Sequence, residues 1–153
     1  MKTIILLLFV CLLQGTVDAQ DAAKRSREFN LTKKQVAISG YDPVAYFTAN
    51  KAMKGSKNLV VHANGVNYYF SSVANKELFK KNYMAYEPQY GGWCAYAMGR
   101  DGEKVEVDPE TFKIVDGKLY LFYNFFFNNT LKSWNKNEAV LKANADKNWN
   151  KIF

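Results

Sequence analysis

Apolar residues change rhythm several times along this chain, and each rhythm predicts an element. Residues 4–13, IILLLFVCLL, are continuously apolar. That run is too short to cross a bilayer, which takes about 20 residues. Further on, LVVHA and VNYYF are β-prone runs joined by Asn64-Gly65. That dipeptide suits a tight turn with both central φ angles positive, so a hairpin is predicted. Ser71 or Ser72 can then cap a helix, VANKELFKKN, with Val73, Leu78 and Phe79 on its apolar face. Asp108-Pro109 predicts a short helical turn, as N-cap and first helical residue. FKIV and KLYLFYN flank Asp116-Gly117 as a second hairpin. In the tail from Asn135, Leu141, Ala145, Trp149 and Ile152 share one helical face. Strands and helices mix without strict βαβ alternation. The expected fold is therefore a small single α+β domain, with two β-hairpins packed against helices and a C-terminal helix.

The apolar run at the start follows a single Lys2 and precedes GTVDA, with Val17 and Ala19 placed as in a signal-peptidase site. Residues 1–19 thus read as a secretory signal peptide. The mature protein is expected to be extracytoplasmic, periplasmic or secreted, with no transmembrane segment after cleavage. Residues 20–29 are polar and aperiodic in QDAAKRSR, which predicts a flexible leader before a domain over 30–153. Cleavage removes Lys2 and Asp18 together, so the formal net charge stays at +7. The basic residues are spread among Asp and Glu. No basic stripe with interleaved aromatics appears, so a nucleic-acid partner is not expected, and no other partner is legible.

Cleavage also removes Cys11 and leaves Cys94 as the sole cysteine, so no internal disulfide can form. Cys94 lies in EPQYGGWCAYAM, among glycines and rings. It has three readings. It can be a small buried hydrophobe beside Trp93 and Tyr96. It can be a soft-metal ligand, with copper as Cu(I) the matching ion. Met98, four residues on, is then the second donor and His62, the single histidine, the third. Or it can be a redox monothiol acting by mixed disulfide, with Gly91-Gly92 letting a partner approach closely. No resolving cysteine follows, which excludes an autonomous dithiol oxidoreductase. No nucleophile–base pair, Walker loop or dinucleotide loop is evident, so no catalytic residue is assigned and binding is favoured over enzymatic work. Asp42 and Asp108 have local structural explanations, and GRDGEK reads as an exposed turn. The many aromatics, YLFYNFFF included, read as core.

The runs YDPVAYF, NGVNYYFSSVANKELFKKNYMAY and PQYGGWCAYAM, in this order, resemble the YHS domain family. They resemble most its exported bacterial proteins, some of which are described as possible selenoproteins. The resemblance spans about residues 30–153 and rests on Asp42, Pro43, Tyr46, Tyr69, Phe70, Gly91, Gly92, Trp93 and Tyr96. It implies metal-related biology, because many such domains carry three metal-binding cysteines. Here Ala45, Ser71 and Asn75 stand at those three positions, which excludes a thiolate site there. The exported proteins keep a later cysteine, and Cys94 matches it.

Overall fold

The computed structural model describes residues 20–153, and the signal peptide expected over 1–19, with Cys11, lies outside the described residues. The chain forms an α+β domain in which helices support three small antiparallel hairpins. Residues 20–28 are helical (α1). The flexible leader expected over 20–29 is therefore corrected, because this helix is anchored at several points. The Arg25 guanidinium is buried, pairs with Glu87 and donates to Tyr68 Oη and to the Asn64 carbonyl. Burial pushes the Arg25 pKa down, but its hydrogen bond to Glu87 and that residue's charge outweigh burial and leave it raised. Lys24 donates to the Phe153 carbonyl, which ties α1 to the C-terminus.

After a short turn, α2 (Ala45–Thr48) leads to β1 (Ser56–Ala63) and β2 (Val66–Phe70). The Asn64-Gly65 turn closes this hairpin as expected, with Val60 opposite Tyr69 and Ala63 opposite Val66. On β2 the pleat puts Val66, Tyr68 and Phe70 into the core. Helix α3 (Val73–Lys81) is capped by Ser72, whose side chain accepts from the Asn75 amide. Only Phe79 of its expected apolar face is buried, against Tyr68 and Phe70, while Val73 and Leu78 stay exposed. A single aromatic wedge does the work that a three-residue stripe was expected to do.

Helix α4 (Ala95–Arg100) precedes β3 (Asp108–Val115) and β4 (Lys118–Phe122). Asp108-Pro109 does not start a helical turn. It opens β3, and the Asp108 carboxylate accepts from the Glu110 amide and the Thr111 hydroxyl. Pro is tolerated because the register between β3 and β4 is interrupted between Asp108 and Phe112, which leaves Pro109 out of the ladder. A third hairpin, β5 (Asn124–Phe125) and β6 (Asn128–Asn129), was not foreseen. It runs into α5 (Thr130–Lys136) and α6 (Glu138–Trp149), the expected C-terminal helix.

Two apolar cores result. One gathers Val44, Tyr46, Tyr68, Phe70, Phe79, Cys94 and Leu121 around the first hairpin. The other gathers Tyr90, Met98, Tyr120, Phe122, Trp134 and Ala145 beneath α6, with Leu141, Trp149 and Ile152 packed at its margin. The helical face expected for the tail is the one that packs.

Helices α4 and α6 meet at Gly99. A Cβ there would lie 2.3 Å from the Leu141 carbonyl oxygen, so only glycine lets these backbones approach. Gly99 belongs to a buried crossing and not to the exposed turn expected for GRDGEK. Gly99→Ala should force the helices apart and cost about 1–3 kcal/mol by overpacking. Thermal melting should show a drop of several degrees, and an unchanged midpoint would mean that the crossing yields freely.

Candidate functional site

Cys94 is the N-cap residue of α4 and has no exposed surface. Its amide donates to the Val105 carbonyl at 3.0 Å. Its sulfur accepts from the Tyr123 amide at 3.3 Å and lies 3.4 Å from Thr130 Oγ1. The Thr130 hydroxyl donates to the Tyr123 carbonyl at 2.9 Å, so its single proton is committed there. The thiol proton is then the one shared between sulfur and Thr130 Oγ1. Cys94, Thr130 and Tyr123 close a ring of three hydrogen bonds that clips α4 to the start of the third hairpin and of α5.

Above this ring lies an open cleft of about 190 Å³, lined by Cys94, Tyr96, Ala97, Arg100, Val105, Tyr123, Asn128 and Thr130. Its floor is apolar. Its rim carries the Arg100 guanidinium, which pairs with Asp101 and Glu103 and lies 5.7 Å from the Tyr96 ring centroid. The residues around it come from α4 and its cap, from the loop before β3, and from both ends of the β5–β6 hairpin. Of the sequence candidates, only Cys94 and Tyr96 belong to this cleft. Arg100, Val105, Tyr123, Asn128 and Thr130 were missed, because they reach it from three elements with no sequence spacing in common.

The three candidate copper ligands have different surroundings. Cys94 packs in the first core and Met98 in the second, since one is the cap and the other the buried face of a short helix. His62 is exposed on β1, with Nδ1 3.1 Å from Asn67 Oδ1. Among the described residues there is no group of three or more His, Cys, Asp or Glu able to hold a metal.

The glycines next to Cys94 serve the chain itself. Tyr90, Gly91 and Gly92 all have positive φ, at 56°, 60° and 87°. The Gly91 carbonyl accepts from the Asn30 amide, and a Cβ on Gly91 would lie 2.7 Å from the Phe29 ring and 2.9 Å from Trp149. The close approach that glycine permits is thus with the end of α1 and with α6. Trp93 Nε1 donates to the Glu28 carbonyl in the same seam.

Around Asp42 the structure assembles a second constellation. Asp42 is fully buried, as are Pro43 and Tyr46 beside it. Its Oδ1 accepts from the amides of Val44 (2.9 Å) and Ala45 (3.3 Å). Its Oδ2 accepts from the Ser71 amide (2.8 Å), the Ser71 hydroxyl (2.6 Å) and Asn75 Nδ2 (2.8 Å). Ala45 from the start of α2, and Ser71 and Asn75 from the start of α3, therefore meet on one carboxylate. Tyr46 Oη donates to the Pro109 carbonyl and its ring meets Phe112 edge-on, which links this knot to β3. Tyr69 is half-buried against Gly40, and Phe70 is wholly buried.

Comparison with family models, with curated proteins and with solved structures returned no match. No helix among the described residues is long and apolar enough to cross a membrane.

Proposed function

We propose that this protein is an exported, non-catalytic binding module of the YHS type, which takes a small, largely apolar ligand in the cleft above Cys94. The cleft carries the proposal. It is concave and apolar at its floor, with a few polar groups at its rim, which is the general make-up of a ligand site. Its volume of about 190 Å³ falls below the roughly 300–1,000 Å³ that drug-sized ligands fill, so one ring or a short acyl chain is the fitting size. Cys94 serves as the floor and the latch of this cleft. The convergence of Ala45, Ser71 and Asn75 on Asp42 supports the YHS resemblance, since those are the three positions where many such domains hold cysteine. In this chain a carboxylate and its donors fill that place.

Indole or p-cresol, titrated into the labelled protein, should shift the amide resonances of Tyr96, Ala97, Tyr123 and Asn128. Val105→Phe, which fills the cleft, should abolish those shifts. Absence of any shift at the cleft would sink the proposal. Anaerobic Cu(I) provides the competing arm, read by native mass spectrometry beside Cys94→Ala. Little copper is expected, because the Met98 side chain packs in the other core and His62 is exposed. Stoichiometric copper lost in the variant would replace the apolar ligand by a soft metal.

A further inference from the structure

Among the described residues three hairpins close through two-residue loops, and each loop holds both central residues at positive φ. The angles are 44° and 80° at Asn64-Gly65, 51° and 69° at Asp116-Gly117, and 52° and 64° at Phe126-Phe127. Asn-Gly and Asp-Gly are the residues such a turn favours. Phe-Phe is not. A bulky side chain in the left-handed region is strained, and Phe lacks the polar group through which Asn and Asp stabilise it. Packing does not offset this strain. Phe126 is 91% exposed and Phe127 110% exposed, and Phe125 beside them is 43% exposed. Rings that strain their own turn and lie open to solvent have no explanation inside the fold.

The surroundings select the partner. From Gly117 to Asn137 the chain carries Lys118, Lys132 and Lys136 and no Asp or Glu. Strand β6 runs directly into α5, on which Lys132 and Lys136 are exposed and one turn apart. Neither makes an ion pair among the described residues. An exposed apolar tip, followed along the chain by a helix with two exposed, unpaired lysines, matches a fluid, anionic lipid surface. Rings enter beneath the headgroups without needing a preformed pocket, and the lysines meet the phosphates. We propose that the Phe126-Phe127 tip is a peripheral membrane anchor, which docks the domain on an anionic bilayer beside its own ligand cleft, whose rim includes Asn128.

The test uses residues 20–153, which hold every described element and both cores. The chain is floated with vesicles of phosphatidylcholine alone and of phosphatidylcholine mixed with phosphatidylglycerol. The wild type should bind the mixed vesicles and bind the neutral ones more weakly. F126N/F127G restores favoured turn residues, so its melting temperature should be equal or higher, yet binding should fall about tenfold or more. K132Q/K136Q should weaken binding to the mixed vesicles severalfold and leave the neutral ones unaffected. Equal binding by F126N/F127G, a lower melting temperature in it, or no binding by the wild type would overturn the proposal. So would a wild-type dimer that F126N/F127G abolishes in the absence of lipid binding, which would assign the rings to a second copy.

Discussion

Alkaline solution should unfold this protein in one cooperative step that begins near pH 10, the ordinary tyrosine pKa, and is well advanced by about pH 12. Tyr46, Tyr68, Tyr90 and Tyr120 are all at least 97% buried. Burial is the main cause that raises each of their pKa values, reinforced by the charge of Glu87 at Tyr68, by the hydrogen bond to Asp146 at Tyr90, and by the charge of Asp146 at Tyr120. Tyr120 is pushed up to about 12, and the other three lie higher. Below pH 10 both folded and unfolded chains keep these protons, so nothing is lost. Above it the unfolded chain releases them while the folded chain holds them, and stability falls with pH. Each such tyrosine contributes a slope of at most about 1.4 kcal/mol per pH unit, so the four together approach about 5.5 kcal/mol per unit. A domain of this size has roughly 5–15 kcal/mol in total. Tyrosinate absorbance of the buried set should therefore appear together with the loss of circular dichroism. Tyr120→Phe removes a buried hydroxyl that has no partner, and it should move the transition to higher pH. Smooth ionisation of all the tyrosines in a chain that stays folded would contradict this account.

Removal of the Asp42 carboxylate should be the most damaging polar substitution in the first core. Five donors address its two oxygens from the turn before α2, from Ser71 and from α3. Asp42→Ala leaves the Val44, Ala45 and Ser71 amides without an acceptor in a buried site, and the Asn75 side chain with only its long contact to Ser71 Oγ. Hydrogen bonds to a charged group contribute more than neutral ones, and stranded donors keep their full desolvation penalty. The expected loss is about 3–5 kcal/mol, or a melting midpoint lower by roughly 10 °C or more. Asp42→Asn should recover little, because its amide nitrogen turns a donor toward donors. Ser71→Ala removes one of the five contacts and should cost only about 1 kcal/mol. Similar melting for all three variants would mean that the knot is not the clamp described here.

Turn chemistry and amphipathic spacing were the legible part of this fold. Asn64-Gly65 and Asp116-Gly117 announce their hairpins because few dipeptides accept two consecutive positive φ angles. The Ser71-Ser72 pair announces the start of α3 because a serine hydroxyl there serves a free amide, and the fold gives that role to Ser72. Signals failed where a contact across the fold supplied the stabilisation. Residues 20–28 lack an apolar period, yet they are helical and held by Arg25 on Glu87. The third hairpin was invisible because Phe126-Phe127 violates the turn rule on which the other two depend. Gly99 looks like loop composition until α6 is laid across it.

The candidate site divides in the same way. Cys94 stood out in sequence as the one cysteine outside the apolar run at the start, and its short-range neighbours were evident. Its real partners, Tyr123 and Thr130, come from 29 and 36 residues away. Met98, which spacing had placed beside it, points into the other core. Sequence by itself determined the first two hairpins, the start of α3, the tail helix and the lack of thiolate donors at residues 45, 71 and 75. These follow from backbone preferences and side-chain chemistry that act within a few residues. Tertiary structure decided that Ala45, Ser71 and Asn75 share one carboxylate, that Cys94 is sealed in a hydrogen-bonded ring beneath a cleft, and that two phenylalanines are left in solvent. Those outcomes depend on which surfaces meet across the fold, and burial and donor–acceptor pairing over such distances are set only when the whole chain packs.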